Sequence, residues 1–279
     1  IAANVSGPRR IQTGAARDFT LGARFVDGSG RVIKNGGRVM KNVTGYDLVK
    51  LMAGSWGTLG VLSEVSLKVQ AVPETQATLV GRGLSLADGV ASLARALGSP
   101  YDITGAAHLD IDGGATMVRV EGLQGMVDYR ASALLGRELG GISLVRRSIS
   151  GTHWRDLRDL SAFAGGDAPV WRVSLKPSDA PAFSQALNAA GLGHRGIFDW
   201  GGGLAWLELA EAGDDAGAAG LRTELARFGG HATLVRATAE TRAAIDVFQP
   251  QPAPLVAISR GLKQKFDSRG ILNPGLMGV

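Results

Sequence analysis

Twice in this chain the hydrophobic pattern runs strand, helix, strand, strand, helix, strand, and that order narrows the choice of fold more than any other feature. Gln76–Arg82 reads as a strand. Ser85 then caps a helix with Asp88 three residues on, and Leu86, Val90, Leu93 and Leu97 share one face until Gly98. Strands are expected at about 104–110 and 115–121, a helix at about 125–139, and a strand at 142–148. The second set runs strand 169–176, helix 178–190, strands 195–199 and 204–210, helix 215–228 and strand 231–236. Both sets have the β-α-β-β-α-β order of a ferredoxin-like unit, with no evident sequence identity between them. A helix between them carries Trp154, Leu157, Leu160 and Phe163 at helical spacing, which reads as core. The expectation is an α+β domain from about 74 to about 245.

The flanks differ. Phe19 to Val26 alternates as a strand, Asp27-Gly28-Ser29-Gly30 turns, and Arg31 to Asn35 returns as a hairpin. A short helix, Tyr46 to Ala53, stops on Gly54, and the loop Ser55-Trp56-Gly57-Thr58 leads into a strand from Leu59 to Val69. In that strand Val61, Val65, Leu67 and Val69 face one way and Glu64, Ser66 and Lys68 the other. Glycines at 54, 57 and 60 leave peptide N–H groups uncovered, and such groups can cradle a phosphate. Spacing alone equally describes an ordinary tight connection. Gln249 to Pro254 reads as a rigid extended linker, and Leu255 to Ser268 as a helix that stops at Gly270.

Composition excludes several classes. There is no cysteine in 279 residues, so disulfides, cysteine nucleophiles and any iron–sulfur cluster held by this chain are ruled out. That is compatible with a cytoplasmic protein or one peripheral at the inner membrane face, and no apolar run is long enough to span a bilayer. Residues 1–70 hold 10 Lys+Arg against 4 Asp+Glu, or +6; the other 209 hold 20 against 21, or −1. The basic residues are spaced singly with little aromatic interleaving, which argues against nucleic acid. They suit a pyrophosphate, an acidic substrate or partner, or a solvated face.

Three stretches, in order, carry a resemblance. Gly54-Ser55-Trp56-Gly57-Thr58-Leu59-Gly60-Val61 resembles the flavin-contacting segment of the FAD-linked oxidases of the vanillyl-alcohol-oxidase type. Ile1 to Arg10 is similar to that family's second flavin loop, and Phe266 to Gly275 to its closing motif. Gly7-Pro8-Arg9-Arg10, the stretch Gly36 to Val43, and Asp199-Trp200-Gly201-Gly202 most resemble the FAD-binding subunits of bacterial glycolate oxidases. The resemblance implies residues 1–73 as the second half of an FAD-binding domain, 74–245 as a ferredoxin-like cap or substrate domain, and 246–279 as a segment returning to the FAD domain. The family's opening Arg-Gly-Gly-Gly-Thr-like loop is not found and the sequence begins with Ile, so the N-terminal subdomain is expected to be missing.

By resemblance, Asn4, Gly7, Gly54, Ser55, Gly57, Thr58, Gly60, Val61 and Asn273 contact FAD, held noncovalently because no anchor residue stands out. Asn273, before Pro274, also suits a plain turn. Trp56 stands where the family often has an acid. A 2-hydroxy-acid oxidase needs a cation for the carboxylate and a base for the hydroxyl proton. His108, His153, His194 and His231 lack metal-ligand spacing, and no metal is expected. His194-Arg195 beside Asp199 to Gly203 is the nearest candidate pocket, and Arg9 and Arg10 are alternative carboxylate holders; no catalytic residue is assigned. Two readings follow. One is an FAD-binding subunit taking hydride from a 2-hydroxy acid, with a larger FAD-binding catalytic subunit and an iron–sulfur subunit as partners. The other is a flavin-free interaction subunit of the same kind of complex.

Overall fold

The structure, a computed structural model, describes residues 1–41, 45–111, 113–135, 146–148, 151–210 and 212–278. The chain divides into two compact units. Unit 1 comprises Ile1–Gly7, Thr13–Ala71 and Pro250–Val279; unit 2 comprises Pro8–Gln12 and Val72–Gln249.

In unit 1, strands β1 (Thr20–Val26), β2 (Val32–Gly36) and β3 (Val61–Leu67) form an antiparallel sheet in the order β2-β1-β3. Asp27 fastens the β1–β2 turn: its Oδ1 accepts from the Ser29 hydroxyl and amide and the Arg31 amide, and its Oδ2 from Arg31 Nε. The Ser29 hydroxyl is the largest of the influences that hold the Asp27 carboxyl well below the usual range, against the opposing effect of burial. A helix over Leu48–Met52, capped by Asp47, and a second over Ala253–Phe266 supply the apolar cover. Phe25, Met52 and Leu59 form the core with Leu62, Leu262 and Phe266 around them, and the Phe25 and Phe266 rings lie 6.1 Å apart. Val61, Val65 and Leu67 are exposed but do not share one face as expected: the register shift between the Arg24–Glu64 and Phe25–Leu62 pairs leaves Val61 opposite Val26, and Val65 opposite Ala23 on the side of Phe25 and Leu62. Pro254 opens the last helix instead of extending the linker, as its missing N–H is no loss in a first turn.

Gly28 touches that helix end closely: its amide donates to Phe266 O at 2.7 Å, and a Cβ there would lie 2.7 Å from the Asp267 Cα. Gly28→Ala is therefore expected to lower the stability of unit 1 by about 1–3 kcal/mol, the usual cost of overpacking. Urea unfolding followed at Trp56, the tryptophan of unit 1, checks it.

Unit 2 is an eight-stranded antiparallel sheet in the order β11-β8-β10-β9-β5-β6-β4-β7. Its strands are β4 (Thr75–Arg82), β5 (Ile103–Asp110), β6 (Ala115–Gly122), β7 (Arg146–Ser148), β8 (Val170–Ser174), β9 (His194–Asp199), β10 (Leu204–Leu209) and β11 (His231–Arg236). Each half has the ferredoxin-like order, fourth-first-third-second, and the halves join where β5 pairs with β9 through His108–Phe198 and Leu109–Ile197. Helices Leu86–Leu97, Gln124–Ala133, Ala180–Ala189 and Ala218–Ala226 connect the strands. The helix expected at 125–139 runs over Gln124–Ala133, with 136–139 outside the described residues, as are 142–145 of the last strand of that half. Ser85 caps as expected, its hydroxyl accepting from the Asp88 amide at 3.1 Å.

One helical face of the sheet packs Trp171, Val173, Phe183, Phe198, Leu207 and Leu221 in one half and Leu79, Leu93, Val118 and Val120 in the other. On the opposite face Trp154, Leu157 and Phe163 cover Val80, Met117 and Ile197. Their segment is not one helix. Thr152–Arg158 is helical, Leu160 takes a left-handed φ of 53°, and Ser161–Phe163 makes a separate 3₁₀ turn that still buries Phe163. Among the described residues no helix is long and apolar enough to cross a membrane.

Candidate functional site

In unit 1 the helix Leu48–Met52 ends against a run of left-handed backbone: Gly54 at φ 88°, Trp56 at 53° and Gly57 at 73°. Left-handed φ is costly for a residue with a Cβ, and Trp56 bears that cost. Most of the loop amides are used to fold the loop. Gly54 N–H donates to Ile1 O, Ser55 to Met52 O, Trp56 to Ala2 O and Thr58 to Ser55 O. The Ser55 and Thr58 hydroxyls, both buried, bond Met52 O and Ser55 O at 2.8 and 2.7 Å. The amide left over is that of Gly57, which donates to no described residue. Gly60 is dictated by packing: a Cβ there would lie 2.7 Å from the Phe25 ring.

Asn273 reaches this loop across 217 positions, donating from Nδ2 to Trp56 O at 2.7 Å. Its amide nitrogen would lie 2.9 Å from a Cβ at Gly57. Ala2, Trp56–Gly57, Gly60–Leu62 and Ile271–Asn273 together line a cleft of about 450 Å³. Gly57, Gly60, Val61 and Asn273 are thus brought together, with Ser55 and Thr58 buried in the loop itself. Asn4 is one step away, left-handed at φ 47°, its Oδ1 accepting from Arg17 N–H and its Cβ 3.6 Å from where a Cβ on Gly54 would lie. Gly7 ends the first segment of unit 1 and does not line the cleft.

Sequence reasoning missed what holds the cleft's two edges. Lys263 Nζ donates to Thr58 O, Leu272 O and Asp267 Oδ2 at 2.9, 2.6 and 2.8 Å. Asp267 in turn accepts from the Ile271 and Leu272 amides at 3.2 and 2.7 Å. Burial alone would push the Asp267 carboxyl up, but Lys263 and the two amides outweigh it and hold it below its usual range. A Lys-Asp pair at i, i+4 across a helix end was the signal available in the sequence.

In unit 2 the expected pocket beside Asp199 separates into two faces. His194 turns to the helical side, where Nε2 meets the Ser184 hydroxyl at 3.0 Å and Nδ1 meets Leu192 O at 3.0 Å. Arg195 lies on the other face with Asp199, because residues two apart in a strand share a face, and is bonded to Glu208 at 2.7 Å. His108 is buried, with Nδ1 on the Thr116 hydroxyl at 2.8 Å; desolvation, more than Asp110 offsets, lowers its pKa. His153 is exposed.

Asp199 itself is buried, and its Oδ1 accepts from the Trp200 amide at 2.7 Å. Desolvation raises its pKa to about 7 against the opposing pull of the Trp200 amide and Arg119. Arg119 bonds Thr104 through the hydroxyl and the carbonyl at 3.1 and 2.8 Å, pairs with Glu121 at 3.3 Å, and lies 4.6 Å from the Trp154 ring. Arg9 grips the same Glu121 with two nitrogens, so it is committed to an ion pair. Arg10 stacks 4.6 Å from the Trp200 ring. Trp200, Gly201 and Gly202 take φ of 55°, 71° and 108°, a left-handed turn that sets the Trp200 indole against both Arg10 and Arg172.

No established family model matches the chain. The glycolate oxidase subunit GlcE of Escherichia coli (strain K12) is 37% identical over 99% of this chain and 70% of that protein. The glycolate oxidase subunit GlcD of Bacillus subtilis (strain 168) is 41% identical over 28% of this chain and 16% of that protein. Among solved structures, alkyldihydroxyacetonephosphate synthase superposes with a TM-score of 0.63 at 17% identity, covering 98% of this chain and 57% of its own, which establishes the shared fold. With the α+β architecture, the paired ferredoxin-like halves and an identity of 37% over nearly its whole length, the chain belongs to the GlcE-type glycolate oxidase subunits, within the FAD-linked oxidases.

Proposed function

We propose that this chain is the FAD-binding subunit of a glycolate-oxidase-type complex that oxidises a 2-hydroxy acid. What carries the reading is the convergence of Gly57, Gly60, Val61 and Asn273, distant in sequence, on one cleft of unit 1. In support, the Gly57 amide makes no hydrogen bond among the described residues, and a Cβ at that position would meet Asn273. Gly57 and its neighbours would hold the negatively charged bridge through backbone amides, and Asn273 would fix the loop edge. A bound flavin supplies the two-electron acceptor for the hydroxy acid's α C–H bond. Since the chain has no cysteine, an iron–sulfur centre receiving those electrons belongs to a partner subunit. The larger FAD-binding subunit is the second partner of this reading, and the assembly sits in the cytoplasm or against the inner membrane face.

The second reading, a flavin-free interaction subunit, draws on the four loop amides already bonded within unit 1. One titration separates the two. FAD added to the purified chain, alone and with its companion subunits, is expected to bind and to give flavin absorbance that remains after gel filtration. Protein that stays colourless in both forms sinks the first reading. Gly57→Ala is expected to weaken FAD binding at least about tenfold, because it fills the amide's approach. It also costs about 1–2 kcal/mol of stability through its left-handed backbone.

A further inference from the structure

We propose that Arg172, with Ser174, Thr233 and His231 around it, forms a binding seat for a small carboxylate on one face of the unit 2 sheet. This deepens the reading above by giving the 2-hydroxy acid a place to dock, and it rests on that reading only for the identity of the acid.

Register places the groups. In antiparallel pairs, directly opposed residues share a face, and so do residues two apart in a strand. One row across the sheet is Ile197, Trp206, Arg172 and Thr233; the next is Asp199, Leu204, Ser174 and His231. A third row holds Arg195, Glu208, Val170 and Arg236.

Charge separates Arg172 from its neighbours. Glu208 satisfies Arg195 and Arg236 at 2.7 and 2.8 Å, and Glu121 satisfies Arg119 and Arg9. Among the described residues Arg172 has no carboxylate or carbonyl partner. It rests 5.6 Å from the Trp200 ring and 5.8 Å from the Trp206 ring, and burial, then the like charge of Arg10, lowers its pKa. The Ser174 and Thr233 hydroxyls and the His231 ring likewise make no hydrogen bond within the described residues. A half-buried cation beside unused hydroxyls and repelled by Arg10 is stabilised by an anion. The strained left-handed Trp200, tied down by Asp199, supports the same conclusion, because such strain persists where surrounding structure holds it for a purpose.

The chemistry favours a carboxylate over a phosphate. One guanidinium offers a planar two-pronged fit to a carboxylate; Arg10 stacks on the same Trp200 ring, but the adjoining row supplies Asp199, whose carboxyl disfavours a phosphate dianion. The two hydroxyls suit a 2-hydroxyl group, and the indoles of Trp200 and Trp206 wall the seat against longer chains.

The test is calorimetric titration of the full chain with glycolate, acetate and inorganic phosphate. Saturable glycolate binding is expected, tighter than acetate. Arg172→Met weakens it at least about tenfold, the loss of one charge-assisted pair. Thr233→Val removes the preference over acetate, and Arg158→Met, at an exposed Arg158–Asp159 pair, changes nothing. Should Arg172→Met not fold, Arg172→Lys keeps the charge without the fork and is expected to bind more weakly than wild type. Unchanged glycolate affinity in a folded Arg172 variant, or no saturable binding, overturns the proposal. Phosphate binding more tightly than glycolate through Arg172 overturns the carboxylate assignment. Flavin titration of the same samples keeps the two readings apart: glycolate binding without FAD binding leaves the seat and removes the redox subunit.

Discussion

Asp199→Asn is expected to stabilise unit 2 by about 4 kcal/mol at pH 8 while leaving it nearly unchanged at pH 4. The buried carboxyl titrates near 7 in the folded protein, whereas an unfolded aspartate titrates near about 3.9. The folded state therefore holds a proton that the unfolded state releases across the window between those values. Stability from this group is complete below about pH 4, falls as pH rises, and is lost once pH has passed about 7. Roughly three pH units at about 1.4 kcal/mol each give the figure. Asn keeps the volume and an oxygen for the Trp200 amide, but carries no charge to bury. Urea unfolding at several pH values, followed at Trp154, Trp171, Trp200 and Trp206, all in unit 2, is the measurement. Parallel pH profiles for wild type and variant would show Asp199 ionised throughout and refute the raised pKa.

That carboxyl also marks the boundary of what residue patterning conveys. The strand and helix order of unit 2 was legible because alternation in segments such as Leu204–Leu209 and the Ser85 cap are local signals. The pairing of β5 with β9, which makes one sheet of two halves, has no local signal; it follows from which edges are left when each half has formed. The break at Leu160 was invisible because Phe163 is buried whether or not the helix continues. In Val170-Trp171-Arg172-Val173-Ser174, alternation reads Arg172 as a solvated residue, and only the register across three strands shows it beside Trp206 and Thr233. The cleft in unit 1 was reached by resemblance; no spacing rule joins Gly57 to Asn273. Spacing did suggest free amides at Gly54, Gly57 and Gly60, and that of Gly54 turns out to bond Ile1 O, because a tight turn also needs its donors satisfied.

Lys263→Met is expected to destabilise unit 1 by about 3–5 kcal/mol, the cost of leaving a buried partner charge without its counterion. The side chain of Asp267 is fully buried and would keep the Ile271 and Leu272 amides but lose its cation. Thr58 O and Leu272 O would lose their donor in the same step, so the glycine loop and the closing segment come apart at one point. The cleft between Gly57 and Asn273 depends on both edges, and FAD affinity is expected to fall along with stability. The double variant Lys263→Met, Asp267→Asn distinguishes charge from packing. With the carboxylate neutralised, it is expected to regain much of the loss, since the uncompensated charge is the larger part of the cost. Acid acts in the same direction. The Asp267 carboxyl lies below its usual range when folded, so its stabilisation is present above the unfolded value of about 4 and is lost as pH falls through the folded one. Wild-type unit 1 should therefore weaken in acid more steeply than the double variant. Equal losses in the single and double variants, at every pH, would instead make Lys263 a packing residue whose charge contributes nothing.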